Sequence, residues 1–220
     1  MADDDRPGGS EPPVAPNGPA AGQPAKPAAD AAHAAPPKPA AAPAASPKPP
    51  ATMAATAWDS ELSRELRERF GDRIVETSTY LGQNFVVVRP DAAIPILEYL
   101  KLEAAFDFLV DVTAVDWPKR AERFDLVYIV YSHARNERLR IKTYIPDGFK
   151  PQSATSVHRT ANWLEREVFD MFGIEFAGHP DMRRILLPDE WQGHPLRKDY
   201  SIIQQDERWV RENLNIESGQ

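Results

Sequence analysis

Fourteen of the chain's 22 prolines fall within its first 57 residues, and alanine is the commonest residue of the rest of that stretch. Proline lacks a backbone donor and alanine buries almost no surface, so this segment cannot offset the entropy lost on ordering. Residues 1–57 are expected to form a disordered or partly polyproline II tail, a solvated spacer rather than a docking tether. Any stable core must come from residues 58–220, which have ordinary globular composition. That length supports one core and is too short for two comfortable ones.

The formal net charge is -7. A general nucleic-acid binder carries a basic excess, so that class is not indicated. There is no cysteine, which excludes disulfides, thiolate zinc sites, cysteine nucleophiles and cysteine-ligated iron–sulfur clusters in this chain. No apolar run reaches the roughly 18 residues of a membrane-spanning helix. The start, Met1-Ala2-Asp3-Asp4-Asp5, lacks the basic and apolar regions of a secretory signal, and its acids argue against a transit peptide. Membrane association is therefore expected only through partners.

The pattern from residue 58 predicts a helix capped by Asp59 or Ser60, with Leu62, Leu66 and Phe70 on one face and Gly71 at its end. Strands are predicted at Ile74–Tyr80 and Asn84–Arg89, joined by a tight turn at Leu81-Gly82-Gln83. A helix near Ala92–Glu103 tolerates Pro95 only in its first turn. Phe108–Val115 is apolar on both faces and is expected to be a central strand, and Phe124–Tyr131 is similar. In Leu139–Ile145, Leu139, Ile141, Thr143 and Ile145 alternate with Arg138, Arg140, Lys142 and Tyr144, giving one buried face and one basic, wet face. A last helix spans about Arg159–Phe172, with Leu164, Val168, Met171 and Phe172 as its apolar stripe and Gly173 as its stop. The order α-β-β-α-β-β-β-α suggests one two-layer α+β domain, residues 58–173, with a mixed or antiparallel sheet.

After Gly173 the periodicity stops. Residues 174–220 read as an extended C-terminal arm without a packable face of its own, yet they hold Trp191, Trp209, Phe176 and Ile185 to Leu187. Such bulk is better explained by packing on another protein.

The chemistry-bearing residues cluster between Trp163 and Tyr200. On the helix, Glu167 and Asp170 share a face, and Arg166 and Asp170 are spaced to pair. Paired carboxylates suit acid–base work, but Arg183, Arg184, Arg197 and Lys198 are close in sequence, and structural salt bridges are the favoured reading. Glu165, Glu167 and Asp170 are expected to face this basic arm or a partner. His179 and His194 each sit in a Gly-His-Pro turn, before Pro180 and Pro195. With no HExxH or comparable spacing, they read as hydrogen-bonded turn histidines rather than metal ligands. No GxGxxG, P-loop or GxSxG motif is present, so there is no nucleotide cradle or serine nucleophile to assign.

The run Glu165-Arg166-Glu167-x-x-Asp170-Met171-Phe172-Gly173-Ile174, then Gly178-His179-Pro180-x-x-Arg183-Arg184-Ile185-Leu186, then Gly193-His194-Pro195-Leu196-Arg197-Lys198-Asp199-Tyr200, resembles a family signature, that of the C subunit (the "30 kDa" subunit) of respiratory NADH-quinone oxidoreductase, complex I. The resemblance covers about residues 58–200. Met182 stands where the family more often has leucine, a volume-conserving change. The resemblance implies a non-catalytic peripheral-arm subunit on the cytoplasmic side of a bacterial inner membrane. It implies packing on the D and B subunits near the quinone site, with FMN and iron–sulfur clusters held by other subunits and no catalytic, cofactor or metal residue here. Electrons would pass from NADH to quinone in the assembly, coupled to proton translocation. The partner-facing residues it suggests are Trp163, Glu165, Arg166, Glu167, Asp170, Gly173, His179, Pro180, Arg183, Arg184, Trp191, His194, Pro195, Arg197, Lys198, Asp199 and Tyr200. The alternatives are the equivalent subunit of a membrane-bound hydrogenase-type complex and a free-standing acid–base or metal enzyme.

Overall fold

The expected helices and strands all recur in a computed structural model, which describes residues 54–201 and 207–215. Helix α1 spans Glu61–Phe70. Ser60 caps it, its hydroxyl accepting from the Ser63 backbone N–H while the Ser63 hydroxyl accepts from that of Ser60, a reciprocal box. Leu62 and Leu66 are buried, and Gly71, at positive φ, ends the helix. Strands β2 (Ile74–Tyr80) and β3 (Gln83–Val88) form a hairpin across Leu81-Gly82. Both loop residues have positive φ, 50° and 74°, as a type I′ turn demands, and leucine is an unusual residue there. Helix α2 (Ala93–Leu102) carries Pro95 at its third position, where no helical hydrogen bond is lost.

Strands β4 (Phe108–Asp116), β5 (Phe124–Ser132) and β6 (Glu137–Ile145) run antiparallel to one another. β6 returns beside β3 in parallel, Val86 opposite Ile141, so the sheet is mixed. A short strand β1 (Thr56–Ala57) adds to β2, giving the order β1-β2-β3-β6-β5-β4. The sheet thus begins inside the stretch read as a tail, and the rest of that expectation lies outside the described residues. Helix α3 spans Ala161–Phe172 and helix α4 Glu207–Leu214.

Two expectations need correction. Strand β4 is not central but lies at the sheet edge. Its apolar run on two faces has separate causes: Leu109, Val112 and Ala114 enter the core, while Phe108 and Val115 stay exposed on the other face. The domain also does not stop at Gly173. Ile174 and Phe176 are buried in the same core as α3. Ala177 pairs with the segment before α3, its N–H donating to the Pro151 carbonyl at 2.8 Å and its own carbonyl accepting from Ser153 at 2.9 Å. The arm lacks periodicity because it is held residue by residue, not by a repeating face.

The core lies between one face of the sheet and α1, α2 and α3. Val86, Val88, Leu126, Tyr128, Leu139 and Ile141 meet Leu66, Ile96, Leu97, Leu100, Val168 and Phe172 there. Phe176→Ala should cost about 3 to 5 kcal/mol of stability in urea unfolding, as for other buried aromatics. A loss near zero would mean that residues after Gly173 are not part of this core.

Candidate functional site

Gly173 ends α3 in the left-handed conformation, φ 76°, and turns the chain back along the helix. A Cβ at this position would sit 2.7 Å from the His194 ring. Gly193, at φ 86°, faces Tyr200 at 2.6 Å in the same way. Glycine is therefore required twice at each position, by conformation and by space.

Asp170, fully buried on α3, organises the loop that follows. Its Oδ2 accepts the backbone N–H groups of Ile185, Leu186 and Leu187 at 3.1, 2.8 and 2.9 Å. Its Oδ1 accepts from Arg184 at 2.5 Å. Arg184 also donates to the carbonyls of Trp191 and Gly193, so one guanidinium ties both ends of the loop. Burial by itself would raise the Asp170 pKa, but the three backbone donors and Arg184 outweigh it and hold the carboxyl below its usual range. The stabilisation is present at neutral pH and lost as pH falls through that depressed value. Both oxygens of Asp170 are thus taken by donors of this chain, and acid–base work shared with Glu167, which is exposed, has no geometry behind it.

Arg166 does not pair with Asp170, as its spacing allows. It donates instead to the carbonyls of Arg183 at 3.1 Å and Arg184 at 2.8 Å and lies over the Trp163 ring. The His179 Nε2–H donates to the Asn162 carbonyl at 3.1 Å, and its Nδ1 accepts from the Asp181 N–H at 3.0 Å. That pair of bonds selects the neutral Nε2–H tautomer. His194 donates from Nδ1 to the Asp170 carbonyl at 3.0 Å. Both rings serve as turn fasteners, and among the described residues no three His, Asp or Glu side chains gather as a metal site. Pro180 is exposed and Pro195 half-buried.

Glu165 is also fully buried, but it points away from the loop. It accepts from the Ser153 hydroxyl at 2.7 Å and the Ala154 N–H at 2.6 Å. Its expected presentation to the basic arm or a partner is therefore corrected: it holds the segment entering α3. Burial pushes its pKa up to about 7, against the pull of the Ser153 and Ala154 bonds.

A second polar cluster secures the far end of the loop, joining Arg197, Lys198 and Asp199 of the motif to Asp116, Arg123 and Asp147, which the sequence did not single out. Asp116, buried at the end of β4, takes Arg123 in two bonds of 2.7 and 2.8 Å and the Lys198 N–H at 2.7 Å. Arg123 further reaches Asp147 and Asp199, and Arg197 bridges Asp147, Asp199 and the Phe172 carbonyl. The hydrogen bonds of Arg123 hold the Asp116 carboxyl below its usual range. Asp116 is the last residue of β4 and Asp147 lies just past β6, where an isolated acid carries no signal of its distant partner.

Three of the exposed apolar residues lie on α3 and on the loop that follows it. Trp163 is 62% exposed, Leu186 61% and Leu196 49%. Trp191 is half-buried, edge-on to Trp209 of α4 at 5.6 Å. Arg183 is exposed and pairs with Asp181, and Lys198 is exposed. Two surface hollows, of about 400 and 160 Å³, are lined by Glu65, Glu68, Arg69 and Tyr99, and by α2 with Ser156 and Val157. Neither touches Glu165, Glu167 or Asp170.

Residues 86–206 match the family described as the respiratory-chain NADH dehydrogenase 30 Kd subunit. The chain belongs to that family. The C subunit of the NADH-quinone oxidoreductase of Geotalea uraniireducens is 42% identical over 151 residues, 68% of this chain and 92% of the relative. The same subunit of Trichlorobacter lovleyi is 47% identical over 140 residues, 63% of this chain and 86% of the relative. A chain in the structure of the membrane-bound sulfane sulfur reductase, an archaeal respiratory membrane complex, superposes with a TM-score of 0.59 at 25% identity, covering 71% of this chain and 91% of that one. Family members are subunits of a respiratory oxidoreductase, so the chain works together with other subunits of such a complex. The Asp170 clasp and the Asp116 cluster lie within the matched region. Among the described residues no helix is long and apolar enough to cross a membrane.

The two buried carboxyls are open to direct test. Asp170→Ala leaves three N–H groups and a guanidinium without their acceptor and should cost about 3 to 5 kcal/mol in denaturant unfolding. A cost below about 1 kcal/mol would refute the clasp. For Glu165, the folded pKa lies above the ordinary value of 4.5. The native state therefore keeps its proton where the unfolded state has lost it, and the group's contribution falls as pH rises from about 4.5 to about 7. Thermal unfolding across that window should show the natural chain losing stability relative to Glu165→Gln. Parallel profiles would assign the titration elsewhere.

Proposed function

We propose that this chain is a non-catalytic scaffold subunit of an NADH-quinone oxidoreductase, docked through its clasped loop onto the neighbouring D and B subunits. The supporting observation is the loop itself. Asp170, Arg166 and Arg184 hold it rigidly against α3, while Leu186, Leu196 and Trp163 remain outward. A preorganised loop that presents apolar anchors avoids the ordering cost of binding. Side chains with more than about half their surface in water gain on the order of 1 to 2 kcal/mol each when covered.

In this reading the clasp residues act on partners indirectly. Glu165, Arg166, Asp170, His179 and His194 face their own chain and set the shape of the loop. Contact falls to Trp163, Glu167, Leu186 and Leu196, with Arg183 and Lys198 supplying charge at the rim. Flavin and iron–sulfur clusters belong to other subunits, as the absence of cysteine requires for thiolate-held clusters. The complex carries electrons from NADH to quinone, coupled to proton translocation, and this chain lies peripherally on the cytoplasmic side of the bacterial inner membrane.

The likeness to a sulfane sulfur reductase chain favours one other reading, the equivalent subunit of a related membrane-bound complex. The higher identity to named NADH-quinone oxidoreductase subunits favours the first. Affinity purification of the full chain from detergent-solubilised native membranes, with an NADH-to-quinone assay, separates the two. Flavin and iron–sulfur subunits with that activity are expected to co-purify. Leu186→Asp combined with Leu196→Asp should lower their recovery at least tenfold while thermal unfolding of the chain is unchanged. Recovery at the natural level would reject the loop as the docking element.

A further inference from the structure

Of the two buried acids of α3, Asp170 has a cation and Glu165 has none. Glu165 accepts only from the Ser153 hydroxyl and the Ala154 N–H. These two residues belong to the stretch that also clamps the entry of the docking loop. Ser153 donates its N–H to the Ala177 carbonyl at 2.9 Å, and Ala177 donates to the Pro151 carbonyl at 2.8 Å. Gln152 pairs with Ala177 in an isolated parallel bridge. A line of hydrogen bonds therefore runs from Glu165 through residues 151–154 to Ala177, just before Gly178 and His179.

The elements packed around Glu165 offer nothing to balance a charge on it. From β5 comes Tyr128, fully buried, its hydroxyl without a hydrogen-bond partner. Burial, and then the charge of Glu165, hold that phenol protonated. Strand β4, which lies along α3, gives the core Leu109, Val112 and Ala114, with Asp111 on its opposite face and Asp116 taken by Arg123. His158, in the stretch before α3, is neutral, because burial and then Lys101 pull its pKa down to about 4. Lys101 of α2 donates to the Val157 carbonyl, and Lys150 pairs with Glu175. On α3 itself, Arg166 is turned to the Arg183 and Arg184 carbonyls, Asp170 to Arg184, and Glu167 is exposed. A carboxylate buried with two hydrogen bonds and no cation is costly, and moving into water relieves that cost.

We propose that Glu165 is a proton-operated latch on the docking loop: protonated, it stays buried and holds Ser153 and Ala154, and through them Ala177; once its proton has passed to solvent water, it leaves the core and this stretch opens. The inference rests on the scaffold reading above and adds regulation to the same loop. Its sign follows from burial. The buried carboxyl keeps its proton up to about pH 7, the hydrated one only to about 4.5, so rising pH between those values favours the open form. The other end of the loop does not share this dependence. Asp170 is held below its usual range by its donors, so Ile185 to Leu187 stay fixed while the entry at Ala177 opens. A loop freed at its entry is less preorganised and binds its partner less tightly.

The test is amide hydrogen exchange of the full chain, read residue by residue by NMR and corrected for the intrinsic pH dependence of exchange. Between about pH 5.5 and pH 8, opening at the Ser153, Ala154 and Ala177 amides should increase on the order of 20-fold, while the Ile185 to Leu187 amides do not change. Glu165→Gln should make the first set independent of pH. An equal rise at both sets is global unfolding and overturns the latch, as does no rise at either. The Glu165 carboxyl carbon of the natural chain, followed by NMR, should titrate near pH 7, and a midpoint at or below about 4.5 overturns the inference without any variant. For docking, the complex purified on the tagged full chain at pH 6 and washed at pH 8 should lose its co-purifying subunits about threefold, and Glu165→Gln should retain them at both. Equal retention by the natural chain, with exchange as expected, overturns the control of docking and leaves the loop-docking reading standing. If no other protein co-purifies at either pH, the control of docking falls together with the scaffold reading.

Discussion

The C-terminal half of the molecule depends on one carboxylate. Asp170 takes three successive backbone N–H groups and one guanidinium, and so converts an aperiodic stretch into a fixed loop. Three parallel N–H donors aimed at one oxygen resemble the donor set of a helix N-terminus, and they make the ionised acid the stable form despite burial. Arg184 carries the constraint further by reaching the Trp191 and Gly193 carbonyls. The loop needs no repeating hydrophobic face, because Arg166 and Asp170 of α3 hold its backbone from Arg183 to Leu187.

The two buried acids of α3 divide the work in opposite directions. Asp170 is surrounded by donors and keeps its charge, whereas Glu165 has two donors and no cation, so burial dominates and its pKa rises. One holds the chain leaving the helix and the other the chain entering it. The Asp116–Arg123 pair then fixes the loop's far end to the edge of the sheet through the Lys198 N–H. Paired buried charges of this kind are weak evidence for extra stability but strong constraints on geometry, since removing either partner strands the other. A subunit that must meet neighbours at defined positions gains from such constraint.

This arrangement also explains why the apolar residues of the loop stay outside. With its backbone satisfied inward, the loop has no reason to turn Leu186 or Leu196 toward the core. There the chain leaves apolar side chains in water on a loop fixed from within, which is the condition expected of one part of a larger assembly.

Periodicity in the sequence determined the elements and the core. Leu62 and Leu66, the alternation from Leu139 to Ile145 and the stripe on α3 each report a face buried against a neighbour, and each was legible because burial repeats with the geometry of its own element. The motif from Glu165 to Tyr200 identified the family for a different reason: its glycines, histidines and charges are required one by one, as the close approaches at Gly173 and Gly193 show. Strand order was not legible. An apolar run such as Phe108–Val115 reads the same whether the strand is central or at an edge, because hydrophobicity records burial and not which strand lies alongside. Nor could the sequence assign partners to Asp170, Glu165 or Asp116. A carboxylate can meet any base or N–H that the fold brings near, and only the tertiary structure brought Ile185 to Leu187, Ala154 and Arg123 within reach.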